Sequence, residues 1–178
     1  MGENILGGQF YNPTKGNMDI KGVMQELISY IFEKPELNYE IIVGCDSSSS
    51  ETPDFPLVVV VLRPGQGGRF FVRKIFYENR MFYQWKQRIL EEVTLSCEFA
   101  LWLRENFERE FKFALIDRGA GLKAEPHYQM AYIHADIGEK GKTSDMIKEI
   151  VGMIKGVGFM AKIKPESFVA SSIADRYS

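Results

Sequence analysis

The sequence predicts an α/β fold: a central mixed sheet of five strands with helices packed on it, in a single domain. Three observations carry that expectation. Runs rich in β-branched and aromatic residues at 39–46, 57–62 and 69–77 follow one another closely, separated by Ser, Pro and Gly clusters. A long stretch without Gly or Pro comes next, and the remainder alternates strand-like with helix-like patterns. The chain has 178 residues, 45% hydrophobic and 26% charged, the make-up of one globular domain with enough apolar surface for a core.

Residues 1–18 read as a loose N-terminal segment containing Gly7-Gly8 and Pro13. Over 19–33, Ile20, Val23, Met24, Leu27, Ile28 and Ile31 recur at spacings of three and four, one apolar helical face behind an Asp19 N-cap. Pro35 ends it, because proline disfavours a helical residue before it. The first strand, 39–46, is apolar almost throughout and so reads as buried on both faces. The second, 57–62, and the third, 69–77, flank Pro64-Gly65-Gln66-Gly67-Gly68 and pair as a hairpin. Residues 83–106 form a long helix with Ile89, Val93, Ser96, Ala100 and Leu103 along its buried stripe. Beyond it two readings stand: Phe111, Phe113 and Leu115 alternate as a strand, while Phe107, Phe111 and Leu115 fit a helix. A strand over 128–137, a helix over 143–155 capped by Thr143 or Ser144, a short strand over 159–164 and a helical turn or two over 169–177 complete the chain.

Several function classes fall away at once. No apolar run reaches the ~18 residues that span a bilayer, so no membrane role is expected. The N-terminus lacks a basic-then-apolar leader, which with only two cysteines, Cys45 and Cys97, points to the reducing cytoplasm. Those cysteines with His127 and His134 cannot assemble a four-ligand zinc site at motif spacing. Gly141-Lys142-Thr143 ends like a phosphate-binding loop, yet the glycine that pattern needs five residues earlier is Asp136.

The net charge of −2 is unevenly spread. Residues 1–62 hold 3 basic and 9 acidic side chains, net −6, whereas 63–88 hold 7 basic and 1 acidic, net +6. A local basic stripe is the form a nucleic-acid footprint takes in a chain of low overall pI, with Arg69, Arg73, Lys74 and Arg80 as the candidate contacts. The alternative is a solvated hairpin and helix start.

Four carboxylates stand where such a fold gathers its strand ends. Asp46 closes the first strand, Glu92 lies in the first half of the long helix, Asp136 closes the fourth strand, and Asp175 sits in the terminal helix. Clustered acids are what Mg²⁺ or Mn²⁺ needs, since hard cations prefer oxygen, and two such ions can stabilise attacking and leaving oxygens of a phosphodiester. Each acid also has a plainer reading. Asp46 and Asp136 could serve turns, Glu92 neighbours the helix acids Glu91 and Glu98, and Asp175 could pair with Arg176. His134 alternates with Asp136 on one strand face and either reaches the same site or is buried without a chemical role. Cys45 points to the face opposite Asp46 and belongs in the core.

The order of helix, three strands, long helix, strand, helix, strand and short helix is that of the ribonuclease H-like fold. The segments FYNPTKG (10–16), YEIIVGCDS (39–47), HADIGEKGKT (134–143) and KIKPESFVASSIADRY (162–177) resemble the bacterial ribonuclease H-like family typified by Bacillus YkuK. The resemblance implies that fold without fixing a reaction. By position, Asp46, Asp136 and Asp175 match acids of the family's motifs, and Glu92 its helix acid. The family's usual threonine before the first aspartate is Cys45 here, and its glutamine shortly after falls in a serine run. The expected function is a divalent-metal-dependent nuclease or related phosphoryl-transfer enzyme acting on nucleic acid, with Asp46, Glu92, Asp136 and Asp175 as ligands of Mg²⁺ or Mn²⁺. Its rival is a non-catalytic nucleic-acid-binding or regulatory interaction module on the same scaffold.

Overall fold

The computed structural model describes residues 5–118, 124–140 and 143–177. In chain order its elements are β1 (Phe10–Asn12), β2 (Gly16–Met18), α1 (Ile20–Glu33), β3 (Asn38–Cys45), β4 (Phe55–Arg63), β5 (Gly67–Ile75), α2 (Trp85–Arg118), β6 (His127–Ala135), a 3-10 turn (Ser144–Met146) running into α3 (Ile147–Gly156), β7 (Met160–Lys162), a π-helical turn (Val169–Ala174) and a 3-10 turn (Asp175–Tyr177).

Seven strands form one sheet in the order β2-β1-β5-β4-β3-β6-β7. The expected meander β3-β4-β5 is antiparallel, and β6 and β7 join parallel to β3. Two strands exceed the expected five. Part of the supposedly loose N-terminus folds as the β1-β2 hairpin on the β5 edge, held by the Asn12 side chain. Its amide donates to the Phe70 carbonyl at 2.8 Å, and its oxygen accepts from the Thr14 and Lys15 N–H groups. Gly16 closes that turn at φ 76°, a conformation side chains rarely adopt.

Helix α1 begins as expected, with the Asp19 carboxylate accepting from the Gly22 N–H at 2.8 Å. The two readings beyond residue 106 resolve in favour of helix: α2 runs on to Arg118, 34 residues or roughly 51 Å. The reason is packing. Phe107 and Phe111 both pack edge-on against Tyr128 of β6, with centroids 4.9 and 4.7 Å away, which a strand could not arrange. Thr143 makes no side-chain cap for the following turn. Its hydroxyl accepts instead from the Gly138 N–H at 3.2 Å. Gly141 and Lys142 lie outside the described residues.

The sheet is buried on both faces. Ile41, Val43, Cys45, Leu57, Val59, Val61, Ile133 and Ala135 meet α1, α2 and α3 in the main core. Ile42, Val58, Val60 and Val72 meet the C-terminal segment through Val169 and Ala174. Gly44 makes the second layer possible: a Cβ there would stand 3.1 Å from the His134 carbonyl oxygen and 3.2 Å from the Ala170 nitrogen. The C-terminal turn therefore lies directly on β3, beside the strand's end.

Candidate functional site

Parallel pairing aligns Cys45 of β3 with Ala135 of β6. One residue further along each strand come Asp46 and Asp136, at the carboxyl ends of adjacent parallel strands, where open α/β sheets leave a crevice. Helix α2 crosses the same end and brings Glu92, two turns in, against them. Asp46, Glu92 and Asp136 line one cleft of ≈ 320 Å³, together with Ser47, Ser49, Trp85, Arg88, Ile89 and Thr143. Of the three neighbouring helix acids, Glu92 is the buried one, 6% exposed. Glu91 turns away to Arg80, 2.7 Å from its carboxylate, and to the Tyr77 hydroxyl, while Glu98 is exposed. Asp175 is outside the cleft lining and exposed, on the C-terminal turn. Its charge nevertheless reaches Asp46 and Lys164.

Burial and mutual repulsion dominate the electrostatics. Desolvation, then the Asp136 charge, pushes the Asp46 carboxyl up to about 7, against a hydrogen bond from the Ser47 N–H at 3.0 Å. Desolvation, then Asp46, pushes Glu92 up to about 8. The Ser47 hydroxyl donates to Glu92 Oε1 at 2.5 Å. Asp136 is held by the Lys164 ammonium, 2.8 Å from Oδ2, and this contact raises the lysine. Asp136 Oδ1 is buried, and among the described residues nothing donates a hydrogen bond to it.

A divalent cation suits this donor set. The donors are all carboxylate oxygens, which Mg²⁺ and Mn²⁺ prefer, and the orphaned Asp136 Oδ1 is an acceptor awaiting a partner. Among the described residues no three His, Cys, Asp or Glu side chains already stand in ligand geometry. Glu92 is drawn to Ser47 and Asp136 to Lys164, so the acids share a cleft and a field without forming a closed cage.

The cations of the basic stripe are largely paired within the chain rather than gathered at the cleft. Arg63 is buried, donating to Tyr30, Tyr39 and Glu33. Arg69 pairs with Glu26 at 3.1 Å and Glu33 at 2.5 Å. It also aligns, through Val61, with Ile41, five residues or roughly 16 Å along β3 from Asp46. Arg73 is 9% exposed beneath Gly8. Lys74 pairs with Asp54 at 2.7 Å, and Arg80 with Glu91. The stripe's last member, Arg88, is the one that lines the cleft.

His134 lies under the C-terminal turn, 1% exposed, its Nδ1 accepting from the Val169 N–H at 3.3 Å. Desolvation, then Lys162, lowers it to about 4, which keeps the ring neutral beneath the turn. Cys45 is buried in the core as expected, and burial raises its thiol well above the usual range. Sequence reasoning missed Ser47, Arg88, Trp85 and Lys164 as site residues. Arg88 alone left a signal, standing four residues before Glu92 on one helix face.

Among the described residues no helix is long and apolar enough to cross a membrane. The family model described as "Ribonuclease H-like" matches residues 22–178. The chain is 30% identical over 175 residues to a Bacillus subtilis (strain 168) protein described as "Uncharacterized protein YkuK", covering 95% of this chain and 96% of that one. No solved structure matches.

Proposed function

The chain belongs to the ribonuclease H-like family, and on that premise we propose that its acidic cleft is the active centre of a divalent-metal-dependent nuclease or related phosphoryl-transfer enzyme acting on nucleic acid. One observation carries this reading: three carboxylates from two strand ends and a helix line a single cleft, and two are raised to about 7 and about 8. A fold that buries like charges together at a cost in stability has kept them for something other than stability.

Asp46, Glu92 and Asp136 would supply the oxygen ligands for Mg²⁺ or Mn²⁺, with Asp175 adding charge from the rim. When bound, the ion supplies Lewis acidity that offsets charge developing on a phosphodiester. The chain's own residues do the rest. Ser47 orients Glu92, Lys164 balances Asp136, and Arg88 offers a guanidinium to a phosphate entering the cleft. Two buried free thiols suit a reducing compartment, so the cytoplasm is the proposed place of action.

The second reading, a non-catalytic nucleic-acid-binding or regulatory module, is favoured by Lys164, whose ammonium already gives Asp136 a cation. Incubating labelled RNA, DNA and hybrid oligonucleotides with the wild type and Asp46→Asn, with and without Mn²⁺, separates the two. The enzyme reading expects Mn²⁺-dependent cleavage that the variant loses. Binding without cleavage in either protein would leave the module.

A further inference from the structure

Between β5 and α2 the chain runs as an irregular segment that is pinned at its centre and exposed on either side. Phe82 is 1% exposed, wedged against Phe55 and Tyr77 with centroids 5.0 and 5.7 Å away, and its N–H donates to the Glu51 carbonyl at 2.8 Å. Arg80 reinforces the anchor, lying 4.6 Å over the Phe82 ring while it pairs with Glu91. Its neighbours go the other way: Met81 is 44% and Tyr83 70% exposed, and the Tyr83 hydroxyl donates to the Met81 sulfur at 3.1 Å. Two residues on, Trp85 lines the cleft beside Asp46, Glu92 and Asp136.

We propose that Met81, Tyr83 and Trp85 form a stacking platform that receives the unpaired bases of a single-stranded nucleic acid and leads its backbone into the acidic cleft. A lone exposed aromatic needs no explanation. Here an aromatic and a thioether are displayed on an anchored segment, a few residues before a half-buried tryptophan that packs on the core and lines the cleft, so the display is not a by-product of a loose loop. Cations accompany them: the Lys86 ammonium lies 5.5 Å from the Trp85 ring, and Arg88 lines the cleft. Aromatic faces interleaved with cations are how proteins hold single strands without reading sequence. A duplex hides all but its terminal base faces within the stack and offers such a platform little to hold. The partner's class is therefore single-stranded, and this deepens the nuclease reading, on which it rests.

The test is fluorescence anisotropy of a labelled oligothymidine of about 12 nucleotides, its oligouridine counterpart and a blunt duplex, in EDTA. Tyr83→Ala should weaken binding of both single strands roughly 5- to 150-fold, the range for losing one stacked base. The salt slope should stay the same, since no phosphate contact is lost. Tyr83→Phe should bind as the wild type does, and duplex binding should not change. Single-strand binding unaltered in Tyr83→Ala, or lost equally for the duplex, overturns the platform. Melts with Mn²⁺ separate this from the active-centre reading. If Mn²⁺ stabilises the wild type but single strands do not bind it, the platform falls alone. If binding depends on Tyr83 while Mn²⁺ has no effect, the metal reading falls and the platform stands.

Discussion

Removing one charge from the cleft should make the metal-free protein more stable and the metal-loaded protein less so. The perturbation is Asp46→Asn, which changes charge and almost no volume. Asp46 is raised from an ordinary 3.8 to about 7 by burial and by Asp136. That is about three units at 1.36 kcal/mol each, so ionised Asp46 costs the fold at most about 4 kcal/mol above pH ~7. An amide must also be desolvated, and it keeps only part of the bond from the Ser47 N–H. The expected gain is therefore nearer 2 kcal/mol, a rise of roughly 4–8 °C in melting temperature for a chain of this length. Added Mn²⁺ should act oppositely. At a hundredfold excess over its dissociation constant a ligand stabilises by about 2.7 kcal/mol, and most of that should vanish with a ligand carboxylate gone. The assay is a pair of melts at pH ~8, with EDTA and with Mn²⁺, and the two curves should exchange order. A mutant destabilised by roughly 0.5–2 kcal/mol, with an undiminished Mn²⁺ shift, would mean that Asp46 serves only its own turn, and the metal reading would lose its best-placed ligand.

The same groups set a pH dependence whose sign is opposite to ordinary acid denaturation. Asp46 and Glu92 are raised, so the folded chain keeps protons that the unfolded chain has released, and metal-free stability should fall between pH ~4 and ~8. His134, lowered to about 4, partly offsets this below its unfolded value near 6.5, so the decline should be steepest near pH ~6.5, ease as Asp46 and Glu92 give up their protons, and flatten in excess Mn²⁺; stability rising through that window in urea titrations would refute the assignment. Lys164→Met should enlarge the Mn²⁺ thermal shift, because the ion no longer competes with an ammonium for Asp136, at a cost of at most ~1 kcal/mol for a half-exposed pair; a smaller shift would make the lysine part of the ion's site. Gly44→Ala should cost roughly 1–3 kcal/mol, since its Cβ would press on His134 and Ala170 and lift the C-terminal turn from β3, as denaturant unfolding would read. Arg88→Ala should lower the salt slope of nucleic-acid binding by roughly 0.7–0.9 while Arg69→Ala leaves it unchanged, because only Arg88 lines the cleft.

What was legible in the chain was whatever a single residue or a short period encodes. The doubly apolar 39–45 run marked β3 as a central strand, and centrality alone puts Asp46 at the sheet's carboxyl edge. Alternation placed Cys45 on the face opposite Asp46, and Cys45 is in the core. Period failed where two periods coincided. Phe107, Phe111, Phe113 and Leu115 satisfy spacings of both two and four, and only contact with Tyr128, distant in sequence, decides between them. It failed again on Glu91, Glu92 and Glu98. In this stretch α2 buries Ile89, Val93, Leu95, Ser96, Cys97, Phe99 and Ala100, so wide an arc that the pattern does not reveal which acid turns inward. The β1 and β2 strands, three residues each, are too short to show any period at all.

Charge was the least legible property, because a charge acts through its partners and the partners are remote. The stripe counted net +6 over 63–88, yet Glu26 and Glu33 of α1 draw off Arg69, and Glu33 also takes Arg63, at the sheet end away from the site. Asp54 and Glu91 pair with Lys74 and Arg80 at the nearer end. The acids show the converse. Asp46, Glu92 and Asp136 lie tens of residues apart, and their separations carry no signal, but a parallel β3-β6 pair crossed by α2 turns them into neighbours whose shared burial and charge raise Asp46 and Glu92. The ionisable groups thus fall into two kinds: cations of the stripe paired with carboxylates, and three carboxylates gathered in one cleft. Opposed pairs need no further ligand to be satisfied, whereas the cleft of carboxylates is relieved by protons, by Lys164 and Arg88, or by a cation from solution. That asymmetry, rather than the count of acids, is why chemistry is sought at the carboxyl end of β3.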